Sequence, residues 1–452
     1  MIQVLTVGVF AFGCLAALLS PGWAVALALS MYSLEQALQA SSNMFFVRPM
    51  LCNVLVALVV GVAAVRYCIQ RPGALIGHAN IAFVGALALY GWSAFSLVWT
   101  PSTATAVEII VWGLPYFVLF VLVVPLLVDD VAGLGVITRA TMYLGIGVLG
   151  VLVINPEFSA ASGRLGFDIG GGHRSNPLAI GELGGTLIII ASLLRVGPMQ
   201  WVLNVARIAA FGLGAVIALQ SGSRGQLLFA VAIAVVFIPI SKKIASIPGF
   251  ILTVLGVLVV IPVILFIAKS GAGLDVIGRW DSSALEEGST HRISNVLDLL
   301  EAWAKSPVGW VMGLGINAFS SATNLGSQEH YVHNIIAEVL AEMGLPIFVL
   351  FIALVTTVTQ SGIALFRRFA DSPIERASVS VLLALVSYQF LLANKQSHLW
   401  SNGMLFCFSI LLVRLHRRTV VFDEITAEEA AADADAEGSE RLDAQPEGET
   451  VR

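Results

Sequence analysis

Three short polar stretches in a very apolar chain hold the residues best suited to chemistry. In Ser221-Gly222-Ser223-Arg224-Gly225 the apolar run resumes at Leu227, so Ser223 is a natural N-cap and Arg224 falls in a first helical turn. A cation there opposes the helix dipole unless an anion neutralises it, and helix starts bind anions readily. A guanidinium adds two-pronged phosphate geometry; an interfacial arginine reaching for lipid phosphates is the plainer reading. Ser289-Thr290-His291-Arg292 repeats the pattern, with Ser289 or Thr290 as cap and Arg292 again in a first turn. The helix expected after it carries Ile293, Val296, Leu297, Leu300 and Ala304 on one face and closes at Pro307. Tyr331-Val332-His333-Asn334 then leads into Ile335, Ile336, Val339, Leu340 and Met343 at helical spacing, ended by Gly344 and Pro346. Imidazole ordinarily titrates near neutral pH, which suits His333 to general-base work, a hydrogen-bonded structural histidine being the alternative.

Two glycine-rich stretches accompany these. Gly313-Leu314-Gly315-Ile316-Asn317-Ala318-Phe319 is a turn in which Gly315 could let backbone approach a ligand. Gly163–Pro177 carries Arg164 and Arg174 and ends on Asn176-Pro177, a cap followed by a first helical residue. It reads either as a lid over a substrate or as a plain connection. Other chemistries are poorly supported. Asp129-Asp130 resembles a metal pair but falls on the wrong side of the chain's topology, and His330 with His333 and Glu329 lacks further ligands, so no metal site is expected. There is no phosphate-binding loop to drive ATP-dependent transport. Acidic residues inside the apolar segments, which a proton-coupled carrier would need, are mainly Glu108 and Glu182.

The elements that must position these residues are membrane spans. The chain has 452 residues, 58% hydrophobic and 12% charged, with mean hydropathy +0.89; about 25% charged is usual for a soluble domain. Apolar runs of membrane-crossing length, without the alternation of a barrel strand, predict an all-α polytopic membrane protein. Spans are expected at 50–66, 79–98, 106–127, 131–153, 178–195, 201–220, 224–240, 247–268, 346–366, 376–393 and 398–415, besides the apolar stretch 2–38 broken at Pro21-Gly22. That makes twelve if 2–38 crosses once and thirteen if twice; twelve, with both termini inside, is the simpler count. Arg414, Arg417, Arg418, Arg367, Arg368, Arg376, Lys242, Lys243, Arg195, Arg66 and Arg71 all fall on one side, assigned to the cytoplasm. The opposite side receives 39–49, 99–105, 154–177, 221–223, 269–332 and 394–397. It carries nine bases (Arg48, Arg164, Arg174, Arg224, Lys269, Arg279, Arg292, Lys305 and Lys395), an excess that points to chemistry rather than topology. The long loop 269–332 has only four bases against seven acids, so anion affinity there must come from placement.

The overall net charge of −5 hides a division. Residues 423–452 hold eleven acids and two arginines, leaving 1–422 at +4. The tail should be a disordered cytoplasmic spacer, and 1–422 one transmembrane domain into which the loop is inserted. Cys14, Cys52, Cys68 and Cys407 lie in or beside apolar runs and read as small core residues. The N-terminus reads as a retained segment, not a cleaved signal.

SGSRGQLL after a span, GRLGF…NP in an earlier loop, a large outer loop with an arginine-bearing helix, GLGINAF, and HN entering a helix followed by glycine resemble, in this order, the O-antigen ligase/polymerase superfamily. The resemblance covers most of residues 155–415. It implies a bacterial inner-membrane glycosyltransferase that works at the periplasmic face without metal or cofactor, taking its glycan from undecaprenyl diphosphate. On that resemblance Arg224 and Arg292 hold the diphosphate and His333 is the base, while Arg164, Arg174, Asn334 and Gly315 are candidates for contacting substrate. The acceptor is lipid A–core for a ligase, the growing glycan for a polymerase, or a protein hydroxyl. A glycolipid or polysaccharide transporter is the reading from a different class; nucleic acid is not an expected partner.

Overall fold

A computed structural model describes residues 1–158, 165–170, 173–195, 200–243, 246, 248–252, 255, 282–323, 332–396 and 398–421. The expected span 247–268 lies outside them except at 248–252 and 255, and Arg164, Lys269, Arg279, Tyr331 and the acidic tail lie outside them as well.

The chain is a helical bundle: α1 (Ile2–Leu19), α2 (Pro21–Ser41), α3 (Asn43–Val47), α4 (Leu51–Gln70), α5 (Gly73–Ile76), α6 (Ile81–Phe95), α7 (Thr103–Phe117), α8 (Val131–Ile154), α9 (Pro177–Leu193), α10 (Trp201–Gln220) and α11 (Arg224–Lys242). Beyond the long loop come α12 (Ser282–Ala304), α13 (Pro307–Met312), α14 (Phe319–Ala322), α15 (Ile335–Met343), α16 (Leu345–Arg368) and α17 (Pro373–Ala393), then α18 over 403–421. Among the described residues nine helices are long and apolar enough to cross a membrane, which makes this an all-α multi-pass membrane protein. One short hairpin, β1 (Asp168–Gly170) against β2 (His173–Arg174), was not anticipated.

The break at Pro21 separates two antiparallel helices. Ser20 is extended, with φ −141° and ψ 128°, and Pro21 opens α2, where its missing N–H costs nothing. Thr6 Oγ1 then lies 3.0 Å from Ser41 Oγ, so α2 returns to the face from which α1 started. The stretch 2–38 is therefore a helical pair that doubles back on itself, of which α1 is among the nine membrane-crossing helices. The start of α1 lies with Ser41 and Asn155, whereas α18 ends beside Ala74, Pro125 and Asp129.

α2, α8, α9 and α17 form the interior, and α1, α4 and α16 turn much of their apolar surface outward. Lipid gives no hydrophobic drive between helices, so close backbone approach matters. At the α9–α10 crossing a Cβ on Gly184 would stand 2.7 Å from the Gly214 carbonyl oxygen. All four cysteines are free thiols, with Cys52 and Cys407 buried.

Two faces follow from the hydrogen bonds. One gathers Arg66, Arg71, Asp129, Lys243, Asp371, Arg376, Arg414 and Arg418. The other gathers Thr100, Thr105, Asn176, Ser223, Asn317, Glu338, Lys395 and Leu399. Asp129 and Asp130 sit on the first face in structural roles. Asp129 pairs with Arg71 at 2.9 Å and Arg418 at 3.3 Å, and Asp130 caps α8 through Gly133 N at 2.6 Å.

Candidate active site

Arg224 is the first residue of α11, as the sequence predicts. Ser223 occupies the N-cap position, but its side chain makes no cap bond. Its Oγ instead accepts from Lys395 Nζ at 3.2 Å, and the same ammonium donates to Gln226 Oε1 at 3.2 Å. Gln226 Nε2 in turn donates to Gln396 Oε1 at 2.5 Å. Two cations thus converge on one helix start, where the dipole favours an anion.

His333 precedes the N-cap of α15. Asn334 is that cap, its Oδ1 accepting from Ala337 N at 2.9 Å. His333 takes φ 59°, the left-handed region that a side chain adopts only at a cost of order 1 kcal/mol or more. It is half-buried, and Ile335, Val339 and Met343 form the expected buried stripe behind it.

Arg292 is not in a first turn. α12 begins at Ser282 and runs through Gly288 and Ser289-Thr290 without a break, there being no proline before Pro307, so Arg292 lies mid-helix and exposed. The buried face also differs from the expected one: Asn295 and Leu299 turn inward with Trp303, while Ile293 and Leu297 remain 61% and 60% exposed. Leu299 packs with Phe319, Val332 and Ala341, which ties α12 to the helix behind His333.

α15 carries two buried carboxylates one turn apart, and each pins a loop. Glu342 accepts from Asn317 N at 2.8 Å and Phe319 N at 3.2 Å, gripping the glycine-rich turn. Glu338 accepts from Leu399 N at 2.9 and 3.2 Å, gripping the segment that brings Lys395 and Gln396 to Arg224. Burial, and for Glu338 the neighbouring Glu342, pushes both acids above the usual carboxylate range, Glu342 to about 7. The glycines serve this clamp. Gly315, at φ +98°, lies so close to Thr100 that a Cβ would meet its Cα at 2.7 Å, so the close approach is made by protein backbone and not by a ligand. Thr100 Oγ1 also donates to Ile316 O at 2.6 Å.

The loop before α9 is fixed at its described residues. Leu165 N donates to Gln220 O at 2.8 Å and Ser175 N to Phe167 O at 3.0 Å, which holds the hairpin beside the Ser221–Arg224 turn. Arg174 lies in the second strand. Asn176 caps α9 through Leu178 N at 2.9 Å with Pro177 following, as predicted.

The sequence reading missed Glu338, Glu342 and the Lys395–Leu399 segment as organisers. The signal available was two carboxylates four residues apart in an otherwise apolar helix. Among the described residues no three His, Cys, Asp or Glu side chains group as metal ligands.

A cavity of about 530 Å³ opens between α2, α7, α9, α17 and the segment 396–404, with Asn317 at its edge. Arg224, Arg292 and His333 do not line it. His398 does; burial lowers its pKa to about 4, so it is neutral at physiological pH.

No curated protein matches the chain. The family model described as O-antigen ligase matches residues 209–352, from within α10 into α16, a stretch that contains Arg224, Arg292, Gly315, His333 and Asn334 but not Lys395 or most of the cavity. The match covers about a third of the chain and supports its resemblance to the O-antigen ligase/polymerase superfamily and, with it, a membrane glycan-transfer enzyme of O-antigen biosynthesis.

Proposed function

We propose that the chain moves a glycan from undecaprenyl diphosphate to a hydroxyl of lipid A–core at the periplasmic face of the bacterial inner membrane. The observation that carries this reading is the bridge from Lys395 and Gln396 to Leu399. It ties the cationic start of α11 to α15, the helix behind His333. In the proposed step the acceptor oxygen bonds to the anomeric carbon as the bond from that carbon to the diphosphate oxygen breaks. The electron pair leaves with the diphosphate, whose growing charge Arg224 and Arg292 meet. The hydroxyl proton passes to the His333 imidazole, a contribution of about 10²–10⁴-fold for such a base. Direct displacement inverts the anomeric centre. No metal takes part, so transfer should persist in EDTA. Arg164 and Arg174 are proposed to contact the glycan or its phosphates, and Asn334, whose Oδ1 caps α15, to offer its amide nitrogen.

The test is transfer in reconstituted vesicles holding a lipid-linked O-unit and lipid A–core. Arg224→Ala, Arg292→Ala and His333→Ala should each keep the melting profile of the parent and lose transfer. Folded variants that still ligate would end this assignment. In a deletion strain, long-chain lipopolysaccharide should vanish while lipid-linked polymer accumulates; single-repeat products would instead identify a polymerase.

A further inference from the structure

The acids that stand out in the apolar segments, Glu108 and Glu182, come together in the 530 Å³ cavity. Among the described residues its lining contains no lysine or arginine. A diphosphate carries several negative charges and would be repelled there; the cations capable of meeting it lie outside, at the start of α11. The cavity therefore calls for a different portion of the substrate.

Its polar groups are built in rather than incidental. Glu182 Oε1 accepts from Gln389 Nε2 at 2.7 Å, joining α9 to α17 inside the bundle. Placing a carboxylate and an amide at membrane depth is costly, and such groups mark substrate paths when they face a cavity. Gln396 lines the mouth and is bonded to Gln226 of the Arg224 helix, while Asn317 lines it from the turn pinned by Glu342. The cavity thus opens beside the candidate catalytic groups. Aromatic faces complete it: Trp112 is 54% exposed, and the Tyr32 and Tyr116 rings lie 5.0 Å apart. The electron-rich face of an aromatic ring suits the C–H faces of a pyranose, and carboxylates and amides suit its hydroxyls. The volume lies within the roughly 300–1,000 Å³ of small-molecule sites.

We propose that this cavity is a saccharide subsite for uncharged or amino-bearing pyranose residues, holding them apart from the diphosphate at Arg224. The inference rests on the glycan-transfer reading. The sugar can belong to the lipid-linked donor or to the acceptor core, and the same chemistry recognises either.

The experiment uses the full chain in nanodiscs. Ala179→Phe fills the cavity without removing a polar group, since only the Ala179 carbonyl is engaged, by Ser33. Saturation-transfer NMR with free glucose, N-acetylglucosamine and galactosamine should show binding to the parent protein and none to A179F, while undecaprenyl diphosphate lacking sugar binds both alike. In transfer assays A179F should raise one KM at least about tenfold with little change in kcat. A rise for the lipid-linked O-unit assigns the site to the donor, and a rise for lipid A–core assigns it to the acceptor. Glu182→Gln and Trp112→Ala, tested in parallel, keep the question answerable if A179F does not fold; both should weaken sugar binding. Unchanged sugar binding in the folded variants overturns the subsite and leaves ligation standing. A parent that binds sugar but transfers nothing, paired with an A179F protein that binds none, keeps the subsite and removes ligation. Sugar moving across sealed vesicles with its linkage intact makes the cavity a transport path and overturns the proposal.

Discussion

The two faces of the bundle use the same residue type at opposite ends of helices. On the Arg414 face, guanidiniums end on carbonyls that close helices. Arg66 donates to Leu18 O at 2.8 Å, Arg376 to Ser241 O at 3.1 Å, and Arg414 to Pro125 O at 2.7 Å and Ala74 O at 2.9 Å. Cations at helix C-termini complete the dipole and satisfy acceptors that have no intrahelical partner. On the Arg224 face, an arginine opens a helix and Lys395 packs against the same turn. There the dipole gains nothing from positive charge unless an anion arrives. Identical side chains are thus structural on one face and, on the function proposed above, meet the substrate's diphosphate on the other.

The sharpest way to break this contrast is Arg224→Ala. Transfer should fall by about 10²-fold or more, the scale for losing a group that meets transition-state charge. The melting temperature should stay within a degree or two. A folded variant with parental turnover would make Arg224 merely interfacial. Arg414→Met should do the reverse. Arg414 is fully buried, and removing it orphans two carbonyls, each costing roughly 1–3 kcal/mol. Thermal unfolding in detergent should come markedly earlier, with activity per folded molecule preserved. If transfer drops instead while the melt is unmoved, the division of labour between faces is wrong.

How much of this the sequence disclosed depends on the range of the interactions involved. The places of Arg224 and Asn176 were legible because a cap and the apolar run behind it are local. Arg292 was misplaced for the same reason. Ser289-Thr290 has the composition of a cap, yet an unbroken helix upstream overrides it, as a capping residue inside a continuing helix simply points outward. The break at Pro21 left one interrupted segment and a helical pair both open, and the Thr6–Ser41 contact selects the pair. Glu338 meets a backbone N–H 61 residues away and Glu182 an amide 207 residues away, and no local pattern carries such pairings. Glu108 and Glu182 stood out individually; only the packing of α7 against the rest of the bundle shows that they share a cavity.

The clamp on α15 offers a subtler distinction, because it acts through position rather than charge toward substrate. Glu338 and Glu342 both have folded-state pKa values above the ordinary carboxylate value, Glu342 reaching about 7. The folded state therefore binds more protons than the unfolded chain between about pH 4.5 and 7, and stability falls as pH rises through that window. The protonation contribution is complete below the unfolded pKa and is lost above the folded one. Melting curves from pH 5 to 8 should show this decline. Glu338→Gln, which resembles the protonated acid, should flatten it while keeping an acceptor for Leu399 N. An equally steep decline in that variant would mean other groups set the pH dependence.

The smallest expected effect concerns the second cation. Lys395 is a compact ammonium held by Ser223 and Gln226, close enough that a Cβ on Gly225 would stand 2.6 Å from Nζ. Lys395→Met should raise the KM for the undecaprenyl-diphosphate donor by about fivefold at most, the scale of one partly solvated charge contact. It should also weaken the dependence of that KM on ionic strength, since fewer fixed charges meet the diphosphate. Gly225→Ala keeps the lysine but pushes it off the helix start, so it should move the same KM in the same direction. A Gly225→Ala effect without any from Lys395→Met would reassign the role to the backbone of α11. If neither change alters donor KM or its salt dependence, Lys395 belongs with Arg414 as a structural cation, and the proposed diphosphate contact at the start of α11 rests on Arg224.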